Sequence, residues 1–283
     1  MRIVESQVIA RRRRGDLPPG QVSVVWIGQA GFLIETGTVR LLIDPYLSDS
    51  LAQKYRGTKF PHARMMQPPV SAGELSDIDY LFATHGHSDH LDPGTLPEIQ
   101  RANPLCTFVV PRSCRELAVE RGVHPERLLT MNSEESIELT GGGSVTALPS
   151  AHEERKWDDS GNELFLGFLF RIAGRVIYHS GDGVPYEGLT ERLRSAEIEL
   201  FLMPVNGRDE VRRTNGVPGN FTLAEAYEIA HGSGGKGLIG HHYGMFEFNT
   251  IDPEWARAWI KERLPAHGLQ CVLAELGKEY LLE

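Results

Sequence analysis

The chain has 283 residues, 41% of them hydrophobic and 24% charged, with a formal net charge of −9 at pH 7. This composition excludes a disordered chain and a coiled coil, and the acidic balance argues against a dedicated nucleic-acid binder. No apolar run is long enough for a spanning helix, and the scattered Cys106, Cys114 and Cys271 fit a reducing, cytoplasmic setting rather than a disulfide framework.

The N-terminus carries Glu5 and Gln7 and lacks the apolar core of a signal peptide. Arg11, Arg12, Arg13 and Arg14 form a basic run within an N-terminal arm over residues 1–20. It reads as a solvated segment or as a contact for an anionic surface. Strands are expected at 22–27, 31–35 and 39–43, short apolar and β-branched runs broken by Gly and Asp-Pro. The stretch 47–75, with Gly57, Pro61, Pro68 and Pro69, reads as a long loop near the active site. Further strands are expected at 80–84, 107–110 and 128–131, with helices near 97–101 and 115–121.

The second half repeats the style. Strands are expected at 135–139, 144–148, 164–172, 176–178, 199–204 and 237–240. A helix near 223–230 opens on Thr222 with Glu225 as a capping box, and another near 254–263 opens on Asp252 and Pro253. Strands in both halves with helices between them predict two sheets covered by helices, in one domain over 1–283.

The chemistry concentrates in Thr84-His85-Gly86-His87-Ser88-Asp89-His90, directly after an expected strand. Residues two apart in extended chain point the same way, so His85 and His87 can share one cation while Asp89 and His90 face a second. Imidazole and carboxylate suit Zn, Mn and Fe. His152, Asp182, His241 and His242 each follow an apolar run ending in Gly or polar residues, the placement a site at one edge of a two-sheet sandwich needs.

The run His85-Gly86-His87-Ser88-Asp89-His90 resembles the HxHxDH signature of the metallo-β-lactamase-fold hydrolases, and the later ligands follow in that superfamily's order. Within it, Leu42-Ile43-Asp44-Pro45-Tyr46-Leu47-Ser48, Pro204-Val205-Asn206-Gly207-Arg208-Asp209 and His241-His242-Tyr243-Gly244-Met245-Phe246 are most similar to the L-ascorbate-6-phosphate lactonase-like branch. Leu273 to Gly277 resembles that branch's closing strand. The resemblance implies an α/β fold, a four-layer αββα sandwich of two mixed sheets flanked by helices. It implies two divalent metal ions, Mn or Zn. His85, His87 and His152 would hold one; Asp89, His90 and a late His the other; Asp182 would bridge. The related pattern has a His directly before Tyr-Gly-x-Phe, which selects His242.

A metal-bound hydroxide held by such a dinuclear site would open a lactone or related ester of a small, sugar-phosphate-like anion, with Asp89 and Asp182 as catalytic residues. Asp44 is expected to accept the outer N–H of a metal-bound His, or else to be a turn residue. Asn206, Arg208, His241 and Tyr243 are expected at the substrate, with Arg212, Arg213 and Phe246 nearby and Arg56 and Lys59 reaching over from the early loop; the alternatives are a surface charge network of the arginines with Asp209 and Glu210, a structural His241 and aromatics that only pack. Arginine would match a phosphate or carboxylate through paired donors. The expected partner is a small molecule, with an assembly of identical chains by family analogy and no membrane. The alternatives are a phosphodiesterase or nuclease on the same metal core, and a non-catalytic metal- or ligand-binding protein.

Overall fold

A computed structural model describes residues 2–6 and 15–282. The run Arg11 to Arg14 lies outside them. The first half forms β1 (Ile3–Ser6), β2 (Val22–Gly28), β3 (Gly31–Glu35), β4 (Arg40–Ile43), α1 (Ser50–Lys54), β5 (Tyr80–Phe82), α2 (Leu96–Ala102), β6 (Thr107–Pro111), α3 (Arg115–Glu120) and β7 (Leu128–Met131). The second forms β8 (Ser136–Glu138), β9 (Ser144–Pro149), β10 (Leu166–Ile172), β11 (Arg175–His179), α4 (Leu189–Arg194), β12 (Leu200–Pro204), α5 (Glu210–Thr214), α6 (Leu223–Gly232), β13 (Gly237–His241), α7 (Pro253–His267), β14 (Gln270–Leu273) and β15 (Glu279–Leu282).

These strands make an eight-stranded sheet, β1-β15-β2-β3-β4-β5-β6-β7, and a seven-stranded sheet, β14-β13-β12-β11-β10-β9-β8. Both are mixed: β4 to β7 run parallel, as do β11 to β14, while the hairpins are antiparallel. Alternation sorts the apolar residues by face. Val24, Trp26, Phe32 and Ile34 point into the core between the sheets, where Phe82 meets Phe168 at 5.2 Å between ring centroids. Val25, Ile27 and Leu33 point the other way, into a second core with Leu96 and Ile99 of α2 and Ala118 of α3. Burial on both faces explains why these strands read as continuous apolar runs. The expected αββα sandwich is the observed architecture.

The helix caps follow the sequence. Thr222 accepts from the Glu225 backbone N–H at 3.2 Å and Glu225 accepts from the Thr222 N–H at 2.8 Å, while Asp252 caps α7 ahead of Pro253. Two expectations are corrected. The N-terminal arm contains an edge strand, β1, paired with β15. The segment 273–277 is not one closing strand: β14 ends at Leu273, the chain turns through Gly277 at φ 71°, and β15 resumes at Glu279 between β1 and β2. Pairings that join the two ends of the chain leave no local signal.

Candidate metal centre

The site sits where strands of both sheets end. Asp44 follows β4, the segment 85–90 follows β5, His152 follows β9, Asp182 follows β11 and His242 follows β13. Parallel neighbours deliver their C-terminal ends to the same edge, so residues far apart in sequence converge. His85, His87 and His152 offer ligand atoms within 4.8 Å of one another, as do His85, His90 and Asp182, and Asp89, His90 and His242. Asp182 lies at the centre of these groups. Its Oδ1 is 3.4 Å from His90 Nε2, and its Oδ2 is 3.2 Å from His242 Nε2 and 3.9 Å from His152 Nε2. Asp89 Oδ2 lies 3.8 Å from His90 Nε2 and 3.9 Å from His242 Nε2.

Hydrogen bonds behind the cluster orient the imidazoles. Fully buried Asp44, at φ 46°, accepts from the Thr84 N–H at 2.8 Å, the Thr84 hydroxyl at 2.7 Å and His90 Nδ1–H at 2.7 Å. With the Thr84 hydroxyl proton on Asp44, Thr84 Oγ1 accepts from His85 Nδ1–H at 3.1 Å. Both rings therefore turn Nε2 inward.

This arrangement fits divalent cations. His85 Nε2, His90 Nε2 and Asp182 Oδ1 are buried and have no hydrogen-bond partner, a state that is unfavourable unless something else satisfies them. Burial holds His85 well below the ordinary imidazole pKa and lowers His152 to about 4, so both rings are neutral ligands at neutral pH. For Asp182 burial works against the charge, but His242 and His90 outweigh it and keep its pKa well below the ordinary carboxylate value. Nitrogen and carboxylate donors in this mixture suit Zn or Mn.

Several contributors carry no local motif. Gln29, in the tight turn between β2 and β3, donates to Asp89 Oδ2 at 2.8 Å and reaches His242 Nε2 at 3.1 Å, while its carbonyl accepts the His242 N–H at 3.0 Å. Its only trace in the sequence is a lone polar side chain flanked by Gly28 and Gly31 between two apolar runs, which names no partner. His179 is buried beneath the site. Its Nδ1 accepts from the Gly181 N–H at 3.0 Å, so its Nε2 carries the proton and donates to Ala30 O at 2.9 Å. That bond holds the turn presenting Asp182, where Gly181 sits at φ 62° and a Cβ would meet Leu166 O at 2.7 Å. Arg121 donates to the carbonyls of Gly86 at 2.9 Å and Leu91 at 2.7 Å, clamping the histidine-rich turn from outside.

The cluster opens into a cavity of about 420 Å³. His87, Asp89, His152, Asp182 and His242 form its floor, and Lys54, Tyr55, Lys59, Phe60 and His62 of the 47–75 stretch form one wall. The expected substrate residues lie elsewhere, and four readings are corrected. Asn206 is buried and bonds to Asn249 at 2.7 Å and Asn220 at 3.1 Å. Arg208 forms a paired contact with Glu225, at 2.7 Å through each of two nitrogens. His241 is fully buried between the sheets, stacked on His179 with centroids 5.1 Å apart. Tyr243 stacks on Trp26 at 5.4 Å and donates to Ala274 O. Asn206, Arg208 and Tyr243 have each satisfied themselves with a nearer protein partner, whereas both ring nitrogens of His241 are buried without a hydrogen-bond partner among the described residues. Arg212 and Arg213 likewise pair with Asp209 and Glu210, and Arg56 is not among the lining residues, whereas Phe246 is.

Comparison with known proteins places this geometry in a family. Residues 39–243 match the model of the beta-lactamase superfamily domain. A UPF0173 metal-dependent hydrolase from Caldivirga maquilingensis is 29% identical over 86% of this chain and 90% of its own length. An N-acyl-phosphatidylethanolamine-hydrolyzing phospholipase D 1 from Caenorhabditis elegans is 25% identical over 80% of this chain and 65% of its own. Among solved structures, Igni18, a metallo hydrolase from Ignicoccus hospitalis, superposes with a TM-score of 0.68 at 17% identity, covering 93% of this chain and 99% of that one. With the family model spanning most of the chain and the strand ends converging as described, the protein belongs to the beta-lactamase superfamily.

Proposed function

We propose that this protein is a metal-dependent hydrolase that opens a lactone or related ester of a small anionic substrate. The observation that carries the reading is the convergence of buried, unpartnered His85 Nε2, His90 Nε2 and Asp182 Oδ1 at an open cavity that Asp182 itself lines. In this reading His85, His87 and His152 hold one cation, Asp89, His90 and His242 a second, and Asp182 lies between them. Two divalent cations, Mn or Zn, would lower the pKa of a shared water toward neutrality and polarise the carbonyl under attack.

The chain's own residues supply the rest. Asp44 and Thr84 fix the rings of His90 and His85. Asp89, with a side chain 15% exposed at the cavity floor, takes the proton of the attacking water and returns it to the leaving oxygen. Lys54 and Lys59 at the mouth draw in an anion. The description of the Caldivirga relative as a metal-dependent hydrolase supports this class. A phosphodiesterase is the second reading, favoured by the phospholipase D relative from Caenorhabditis elegans and by the same lysines.

The test is hydrolysis of L-ascorbate 6-phosphate by Mn- or Zn-loaded protein, followed by loss of the substrate's ultraviolet absorbance. The Asp182→Ala protein is the blank. Loss of absorbance with wild type alone supports the lactonase reading. No loss from metal-loaded wild type contradicts the lactone assignment, and cleavage of bis(p-nitrophenyl) phosphate would then establish the second reading.

A further inference from the structure

One histidine of the cavity wall stands apart from the metal cluster. His62 Nδ1 lies 2.6 Å from the carbonyl oxygen of Phe60. A carbonyl only accepts, so Nδ1 carries the proton and Nε2 keeps a lone pair. The ring is clamped by Tyr55 with centroids 4.2 Å apart, by Phe246 at 5.0 Å and by Phe248 at 4.7 Å. Its backbone is held at φ 48°, in the left-handed region. Such strain persists only where surrounding contacts over-determine it, and it concentrates at functional positions. Burial keeps the His62 pKa below the ordinary imidazole value, so the ring is neutral at neutral pH.

Lys54 lines the same cavity and is exposed, with no acidic side chain paired to it among the described residues. Lys59, by contrast, is tied to Asn215 Oδ1 at 2.8 Å across the opening. The wall thus presents a cation without an acidic partner among the described residues, its Nζ 5.2 Å from the centroid of the Tyr55 ring that stacks on His62, beside a fixed hydrogen-bond acceptor.

We propose that Lys54 and His62 form a recognition subsite for the non-reacting part of the substrate: Lys54 holds a phosphate or carboxylate, and His62 Nε2 accepts a hydrogen bond from a hydroxyl beside it. The inference rests on the reading of the site as a hydrolase of small anions. His62 is then a specificity-determining residue, because a ligand without the hydroxyl leaves a desolvated lone pair behind.

The test is calorimetric titration of the Zn-loaded protein with sn-glycerol 3-phosphate and with propyl phosphate, which lacks the hydroxyls. Any contribution of the metals to phosphate binding is common to both probes. Wild type should prefer glycerol 3-phosphate by about five-fold, the worth of one net hydrogen bond. His62→Phe should erase the preference while leaving propyl phosphate affinity unchanged, and His62→Gln, whose Oε1 also accepts, should restore it. Lys54→Met should weaken both ligands by a similar factor. Equal affinities in wild type, a preference that survives His62→Phe, or no binding of either probe would overturn the subsite. Should His62→Phe fail to fold, nitrogen-15 spectra of wild type decide: the His62 Nε2 resonance moves with glycerol 3-phosphate and not with propyl phosphate, and a resonance that moves with neither overturns the proposal. None of these outcomes depends on Asp182-dependent turnover, by which the hydrolase reading stands or falls.

Discussion

Asp44 shows how much one side chain does here. It accepts three hydrogen bonds, two of which set the direction of His90 and, through Thr84, of His85. Asparagine is nearly the same shape but replaces one acceptor oxygen by an NH2 donor, so it cannot accept the Thr84 hydroxyl and His90 Nδ1–H at one oxygen while accepting the Thr84 N–H at the other. Asp44→Asn should weaken zinc binding by about 10- to 100-fold, the usual penalty for losing such a supporting group. Competition with a chromogenic chelator measures it, and unchanged affinity would show that the Asp44 contact is merely structural. At this scale the metal cluster was legible because its densest part is contiguous: His85 to His90 sit in six consecutive positions. Asp44 was legible as a polar residue closing an apolar strand. Gln29 and His179 were not, because their partners lie 60 to 213 positions away for Gln29 and 149 away for His179. Arg208 and Tyr243 misled for the opposite reason. Their neighbouring motifs pointed at the site, but Glu225 and Trp26 offered better partners.

The 47–75 stretch shows what element-scale reading from sequence captures and what it misses. Its Gly and Pro residues mark an irregular segment, yet its shape comes from outside it. Buried Asp92 accepts from the Ser48 hydroxyl at 2.8 Å, the Ser50 hydroxyl at 2.7 Å, the Thr95 hydroxyl at 2.5 Å and the Gly94 N–H at 3.0 Å. Farther on, Arg64 donates to Ser48 O at 2.9 Å, and the Met65 N–H to Met245 O at 2.9 Å. Beneath lies a small core of Tyr46, Leu51, Met245 and Phe246. Asp92→Ala leaves those donors without their shared acceptor and should destabilise the fold by about 2–4 kcal/mol. It should also open the wall that carries Lys54 and His62. Limited proteolysis is the check: cleavage within 47–75 should appear in the variant before global unfolding. A variant as resistant as wild type would mean that the apolar cluster alone holds the segment. The terminal strands tell the same story. The regular hairpins of β2 to β4 and β9 to β11 were readable from pattern, whereas β1, β14 and β15 are short and defined by pairing between chain ends.

Across the whole molecule, the core between the sheets and the two smaller cores beside it bury groups that ionise at high pH. Burial raises Cys106 and Cys271 from 9.0 to about 12 and Cys114 to about 11, and it raises Tyr46 and Tyr243 from 10.0 to about 12. The unfolded chain loses these protons first, so the folded state binds more protons above about pH 9. The stability these groups contribute is complete below that value and is lost as pH rises toward 12. The urea midpoint should therefore fall steadily between about pH 8 and about pH 11, and a flat profile would contradict the burial of these groups. No helix among the described residues is long and apolar enough to cross a membrane. The same packing brings five strand ends to one edge, and the account rests on what that edge holds. Elemental analysis of the purified wild type beside Asp182→Ala tests it most directly. The account predicts two divalent ions per wild-type chain and a clear loss in the variant. Wild-type protein that retains no divalent ion when dialysed against equimolar zinc would contradict it.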